Sequence, residues 1–111
     1  MRTLLALTSA FALLLTATGT ASAADGVFTY RYVDEEGQVQ TGALVDPPSG
    51  ECIEIPEIAD WDTDAFRPRN HTDSRAVVFK DNDCESAAYF SLRPHGGQGS
   101  ERLLLRSVVF S

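Results

Sequence analysis

Turn-forming residues divide this chain into short segments, and their spacing most limits what it can fold into. Proline, glycine, asparagine and aspartate cluster at 34–37, 46–50, 81–83 and 94–99, and these residue types favour turns. From residue 24 onwards, no window of ten or more residues carries apolar side chains at the 3.6-residue helical period. The sequence therefore predicts an all-β domain of about six or seven short strands, arranged as a sandwich or a compact barrel.

The residues between these turns alternate as strands do. Phe28, Tyr30 and Tyr32 fall on one face at a period of two, the pattern of a strand with one buried side. The same reasoning predicts strands at 27–33, 38–44, 51–55, 76–79, 87–92 and 103–110. We expect 56–70 to be loop, with one helical turn or a short strand near 65–67, and 94–99 to be a flexible loop.

The amino-terminal residues have the three parts of a secretory signal peptide. Arg2 supplies a positive charge, Leu4–Leu15 is an apolar run, and Ala21 and Ala23 are the small residues that a signal peptidase requires. Ala24 would then begin the mature chain. The sequence predicts cleavage after Ala23.

A permanent membrane anchor fits this segment less well. Six hydroxyl residues lie within 4–24, and no basic stop-transfer cluster follows. We therefore expect residues 1–23 to be a helical signal peptide, and 24–111 to be a single β domain, secreted without a membrane anchor and monomeric.

The two cysteines of the chain, Cys52 and Cys84, both lie in the mature part. A domain of this size is only marginally stabilised by its core, and an even pair in a small secreted domain is usually bonded. Two buried thiols or half of a metal site are the alternatives, but no further Cys or His lies near the pair in sequence. The expected bond would stabilise the fold by about 3–4 kcal/mol in the chain-entropy model.

Charge is unevenly distributed along the mature chain. Without Arg2, eight basic and 16 acidic residues remain, a net charge of −8. Residues 24–66 hold Arg31 against eleven acids, whereas 67–111 hold seven basic and five acidic residues. Nucleic acid and anionic membranes are poor partners for such a chain. The acidity either keeps the protein soluble or steers it toward a basic or metal-bearing partner.

Part of the second half resembles a known Greek-key motif. The stretches concerned are Val77–Ser86, Tyr89–Leu92 and Arg106–Phe110. They look like one motif of the βγ-crystallin family, with Phe79 as its first aromatic residue and Ser107 as its closing serine. The resemblance implies a small Greek-key β-sandwich. Within that family, the chain is similar to the crystallin-fold peptidase inhibitors found among small secreted actinobacterial proteins.

The chain also departs from that family pattern. Cys84 stands where a second aromatic residue is usual, and Ser86 replaces the glycine that relieves strain at the folded corner. Many family members bind calcium, but Arg102 and Leu103 occupy the positions that should be acidic. A second calcium pattern at Asn70–Ser74 keeps its Asn and Ser, but His71 stands at its second position.

The segment Asp60–Asp64 opens like a calcium loop of the EF-hand type. Ala65 then replaces the required glycine, and His71 replaces the bidentate glutamate. We therefore predict that the protein has no resident cofactor, and we keep calcium as the one candidate ligand.

Two functions from different classes follow from these observations. The first is a noncatalytic inhibitor that docks exposed loops, 57–64 and 94–99, on a secreted peptidase. Its expected contact residues are acidic, with one aromatic: Asp60, Trp61, Asp62 and Asp64. The second is a structural, ligand-binding or calcium-binding module of the cell envelope. We predict no enzymatic activity, because neither His71 nor His95 lies in a recognisable catalytic motif.

Overall fold

Nine antiparallel strands in two sheets make up the described part of the chain. The computed structural model describes residues 22–111, so the expected signal peptide helix and Ala21 lie outside the described residues. The strands are β1 (Gly26–Val33), β2 (Val39–Val45), β3 (Ile53–Glu54), β4 (Ala65–Thr72), β5 (Ala76–Phe79), β6 (Tyr89–Leu92), β7 (Gly97–Gln98), β8 (Leu104–Leu105) and β9 (Ser107–Phe110). Sheet 1 has the order β2-β1-β4-β7, with β8 also on β4, and sheet 2 has the order β3-β9-β5-β6. The prediction of an all-β sandwich is confirmed.

Each half of the chain contributes strands to the sheet of the other half: β3 joins sheet 2, and both β7 and β8 join sheet 1. In the first half β4 returns to lie beside β1, while β3 pairs with β9 in sheet 2. In the second half β9 lies beside β5, while β7 pairs with β4 in sheet 1. A fourth strand that returns beside the first is the Greek-key connection. Neither half can therefore complete its sheet without the other.

The core lies between the sheets and is built on the alternation of β1. Phe28 and Tyr30 are completely buried, and Tyr32 packs against the same core. The Phe28 ring meets the edge of Phe110 in sheet 2 at a centroid distance of 5.3 Å. Burying each such side chain contributes about 1.5–3 kcal/mol. The aromatic pair thus joins the first strand to the last.

The disulfide joins Cys52 and Cys84, with their Cα atoms 5.8 Å apart. Cys52 directly precedes β3, and Cys84 lies in the β5–β6 loop. The N–H of Cys84 donates to the Ser107 hydroxyl at 3.1 Å, and that hydroxyl donates to the Asp81 carbonyl at 2.7 Å. Ser107 is completely buried, so the hydroxyl and the disulfide together hold this loop against sheet 2.

A buried amide joins β4 to the end of β6. The Nδ2 group of Asn70 donates to the carbonyls of Ser74 at 2.8 Å, Arg93 at 3.1 Å and Leu92 at 3.3 Å. Its Oδ1 accepts from the Thr72 hydroxyl at 2.7 Å. Asn70 is completely buried, and buried polar groups of this kind need such partners.

Three local predictions were wrong at least in part. The short strand expected near 65–67 is present as the start of β4, but the loop expected over the rest of 56–70 is not. The segment 56–70 contains a 3₁₀ turn at Pro56–Ile58 and most of an eight-residue strand, β4, because tertiary pairing on two sides overrides its irregular pattern. The expected loop at 94–99 contains β7, and the expected final strand is divided into β8 and β9. The division lets the chain pass from one sheet to the other at Arg106.

Candidate functional site

The segment that follows β3 is a tight turn anchored in the core. Pro56 begins the 3₁₀ turn, where its fixed φ angle and missing N–H are tolerated. Ile58 is buried at 1% exposure and fixes the turn against the sandwich. The N–H of Trp61 then donates to the Ile58 carbonyl at 3.0 Å. The expected contact loop therefore starts from a fixed base.

Arg106 braces this loop from the second half of the chain. Its Nη2 donates to the Trp61 carbonyl at 2.6 Å, and its Nη1 lies 3.8 Å from Asp62 Oδ1. The Arg106 side chain is only 22% exposed, whereas the Asp62 side chain is fully exposed. The hydrogen bond to the carbonyl is thus the stronger restraint, because an exposed ion pair contributes little.

Glu57 is held by a tyrosine that rises from the core. The Tyr30 hydroxyl donates to Glu57 Oε1 at 2.6 Å. Burial, followed by this hydrogen bond and the nearby negative charge, raises the pKa of Tyr30 well above its usual range. Gly42 leaves room for the ring, since a side chain there would collide with it. The Glu57 carboxylate is therefore fixed at the rim of the sandwich.

Glu57 and Trp61 line part of an open groove of about 330 Å³, which we call the acidic groove. Two aromatic rings and four carboxylates line it: Tyr32, Trp61, Asp34, Glu35, Glu36 and Glu57. Asp34 Oδ1 accepts from the N–H groups of Glu36 and Gln38 in its own turn, and Oδ2 accepts from the Gln40 amide. The hydrogen bond from Gln38, and then that from Gln40, lower the pKa of Asp34.

The acidic groove has the chemistry of a receptor for a cation. Aromatic faces attract ammonium and guanidinium groups, and carboxylates form charge-assisted hydrogen bonds to them. Glu35 and Glu36 are exposed and so free to orient toward a ligand. Such a groove suits a lysine or arginine side chain of a partner better than an apolar or anionic group.

The expected contact residues separate in the structure. Trp61 lines the acidic groove and is half-buried, whereas Asp60, Asp62 and Asp64 are absent from its lining. Asp60 and Asp62 are exposed, and Asp64 is half-buried. The sequence interpretation missed Tyr32, Glu35 and Glu36. The acidic turn directly after an aromatic strand was visible in the sequence, but its position beside Trp61 was not.

The second expected contact loop, 94–99, is fixed by the backbone rather than flexible. The N–H of His95 donates to the Thr72 carbonyl at 2.9 Å, and the N–H of Gly96 donates to the Asn70 carbonyl at 2.7 Å. Gly99 donates to the Pro68 carbonyl at 2.9 Å. Three of its residues thus hydrogen-bond directly to β4, and the loop does not line the acidic groove.

The calcium patterns do not assemble into a metal site in the described residues. Within 22–111, no group of three or more His, Cys, Asp or Glu side chains is placed to hold a metal ion. The Oδ1 atom of Asn70, the candidate ligand in 70–74, accepts from Thr72 inside the core.

Comparison with known proteins finds no family model, no curated protein and no solved structure that matches this chain. Among residues 22–111, no helix is long and apolar enough to cross a membrane.

Proposed function

We propose that this chain is a secreted, noncatalytic βγ-crystallin-like protein that inhibits a peptidase by holding a basic side chain of that enzyme in the acidic groove. One observation carries the proposal: Trp61 and Tyr32 lie in the same groove as Glu35, Glu36 and Glu57. A lysine or arginine between the rings would meet carboxylates from two separate parts of the chain.

The fixed position of the groove supports tight binding. A protein that docks loses free energy whenever its loops must be ordered first. Here Arg106 holds the Trp61 carbonyl, Tyr30 holds Glu57, and Asp34 orders the turn that carries Glu35 and Glu36. Little further ordering is required, which is the property expected of an inhibitor.

A panel of secreted metallopeptidases and serine peptidases, assayed with purified residues 24–111, tests this proposal. We expect stoichiometric inhibition of at least one enzyme, with inhibition weakening as salt concentration rises. Trp61→Ala should weaken it about 30-fold, as an aromatic anchor does at an interface. Tyr89→Ala is the matched control, because Tyr89 is 62% exposed on the other sheet.

Two results would contradict the inhibitor proposal. One is the absence of inhibition at micromolar concentration across the panel. The other is an equal effect of Trp61→Ala and Tyr89→Ala, which would place the contact outside the acidic groove.

A calcium-responsive structural module of the cell envelope is the second candidate, and the β5–β6 loop favours it. The pKa of Asp81 is lowered to about 2 and that of Asp83 is raised, in each case mainly by the side-chain interaction between the two carboxyl groups. Asp81 Oδ1 is also buried without a partner in the described part of the chain. Two carboxylates this close share either a proton or a cation.

A calcium titration separates the second candidate from the first. Millimolar calcium should raise the melting temperature of the wild type, and Asp83→Asn should reduce this rise, whereas Asp60→Asn should leave it unchanged. An unchanged melting temperature in the wild type would exclude this candidate.

A further inference from the structure

Basic side chains from both halves of the chain lie on the outer face of sheet 1. Phe28 and Tyr30 point into the core, so the alternation of β1 directs Arg31 outward. On the adjacent strand β4, Asn70 and Pro68 are buried, which directs Arg69 outward too. Arg31, the only basic residue in 24–66, thus lies on the same face of sheet 1 as Arg69.

A β-bulge brings a further arginine to this face. Between the paired positions Phe66–Arg31 and Arg69–Thr29, β4 has two residues where β1 has one. One of these is Arg67, with a φ of 56°, a left-handed conformation that a non-glycine residue adopts at a cost of about 1–3 kcal/mol. Bulges redirect side chains and are common beside binding sites.

Arg67 and Arg69 both line one groove, which we call the basic groove. Its volume is about 420 Å³, and its lining consists of Arg67, Arg69, Gln98, Gly99, Ser100 and Glu101. Arg69 lies opposite Gln98 in the β4–β7 pairing. Two guanidinium groups and a side-chain amide therefore share a space in the size range of small-ligand sites, about 300–1,000 Å³.

The arginines of this groove are poorly neutralised by the protein. Among residues 22–111, Arg69 forms no salt bridge, and Arg67 has one partner, Glu101, at 3.5 Å. The Glu101 side chain is 69% exposed, and an exposed pair of this length contributes little. A chain with a net charge of −7 has many carboxylates that could pair with these arginines, yet none of those in residues 22–111 forms a salt bridge with Arg69.

We propose that the basic groove binds an oxyanion group of an extracellular ligand, held by the guanidinium groups of Arg67 and Arg69 and by the Gln98 amide. Guanidinium donors fit phosphate, sulfate and carboxylate through paired hydrogen bonds. The bound oxyanion displaces Glu101 from Arg67. This site is separate from the acidic groove, and its binding does not depend on peptidase inhibition.

Titration of residues 24–111 with sodium phosphate, sodium sulfate and sodium acetate, at constant ionic strength with chloride as reference, tests the site and distinguishes the three oxyanions. Arg69→Gln should weaken the preferred anion about tenfold or more, the loss expected for a charge-assisted hydrogen bond. Glu101→Gln should strengthen it, because it removes the competing carboxylate. Lys80→Gln and Glu85→Gln are the charge-matched controls and should change affinity less than twofold.

Amide chemical shifts of the wild type give a second readout that requires no variant. The preferred oxyanion should shift the amides of Arg67, Arg69, Gln98 and Ser100 together, at one common affinity. Shifts spread over the surface, no preference for any oxyanion over chloride, or an equal effect of Arg69→Gln and Lys80→Gln would overturn the proposal. Arg69→Lys, which keeps the charge, should bind with intermediate affinity.

Discussion

The guanidinium group of Arg106 donates a hydrogen bond to the carbonyl oxygen of Trp61 across 45 residues of sequence, with a separation of 2.6 Å. Arg106 also occupies the point where the chain passes from β8 in sheet 1 to β9 in sheet 2. The Arg106–Trp61 contact therefore couples the crossover between the sheets to the wall of the acidic groove.

Replacing Arg106 should loosen this wall. Arg106→Ala removes a charged donor from a half-buried carbonyl, and we expect it to lower the free energy of unfolding by about 1.5–3 kcal/mol. Urea denaturation measures the change, and Arg102→Ala, at an exposed residue, should cost less than about 0.5 kcal/mol. Fluorescence of Trp61, the only tryptophan, should also shift to longer wavelength in Arg106→Ala alone.

Burial of Tyr30, together with its hydrogen bond to Glu57, predicts a loss of stability at alkaline pH. The folded state raises the pKa of Tyr30 above its ordinary value of 10.0, so folding favours the neutral hydroxyl. This contribution is complete below pH 10 and is lost as the pH rises further. Denaturation measured from pH 8 to 11.5 should show the decline, and Tyr30→Phe should flatten it. Tyr32→Phe is the control, and an identical decline in Tyr30→Phe would contradict this assignment.

Acid should destabilise the fold through carboxylates that accept backbone hydrogen bonds. The backbone N–H groups of Gln38 and Asp25 are the main cause of the lowered pKa values of Asp34 and Asp73, respectively. Because both pKa values lie below the ordinary aspartate value of 3.8, the stabilisation from these carboxylates is present above pH 3.8 and is lost as the pH falls. Thermal melts from pH 6 to 2 measure this loss. Asp34→Asn should reduce the slope, whereas Glu51→Gln, at an exposed residue, should retain it.

Removing the disulfide should affect the fold more than any single side chain considered above. Cys52→Ser/Cys84→Ser opens a loop with a sequence separation of 32, and we expect a loss of about 3–4 kcal/mol in the chain-entropy model. Chemical denaturation of the double variant and of the reduced wild type should agree. A loss under about 1 kcal/mol would show that Ser107 and β3–β9 pairing suffice to hold the β5–β6 loop.

Strand β5 was predicted more accurately than strand β4. Strand β5 matches its predicted limits of 76–79. Strand β4 was assigned mostly to loop, because its sequence, Ala-Phe-Arg-Pro-Arg-Asn-His-Thr, contains a proline and five polar or charged residues. Pairing with β1 on one side and with β7 and β8 on the other decides its conformation, and these contacts are distant in sequence.

The sequence by itself determined that the chain is all-β, that it carries one pair of cysteines, and that its first half is acidic. These follow from turn chemistry, a period of two and residue counts, all of which act locally or along the chain. Only the tertiary structure decided that Trp61 faces the Glu35–Glu36 turn, that Arg106 braces it, and that Arg31 shares a face with Arg67 and Arg69. The crossing of β3 and β7 into opposite sheets brings the two halves together, and no local pattern encodes which side chains then become neighbours.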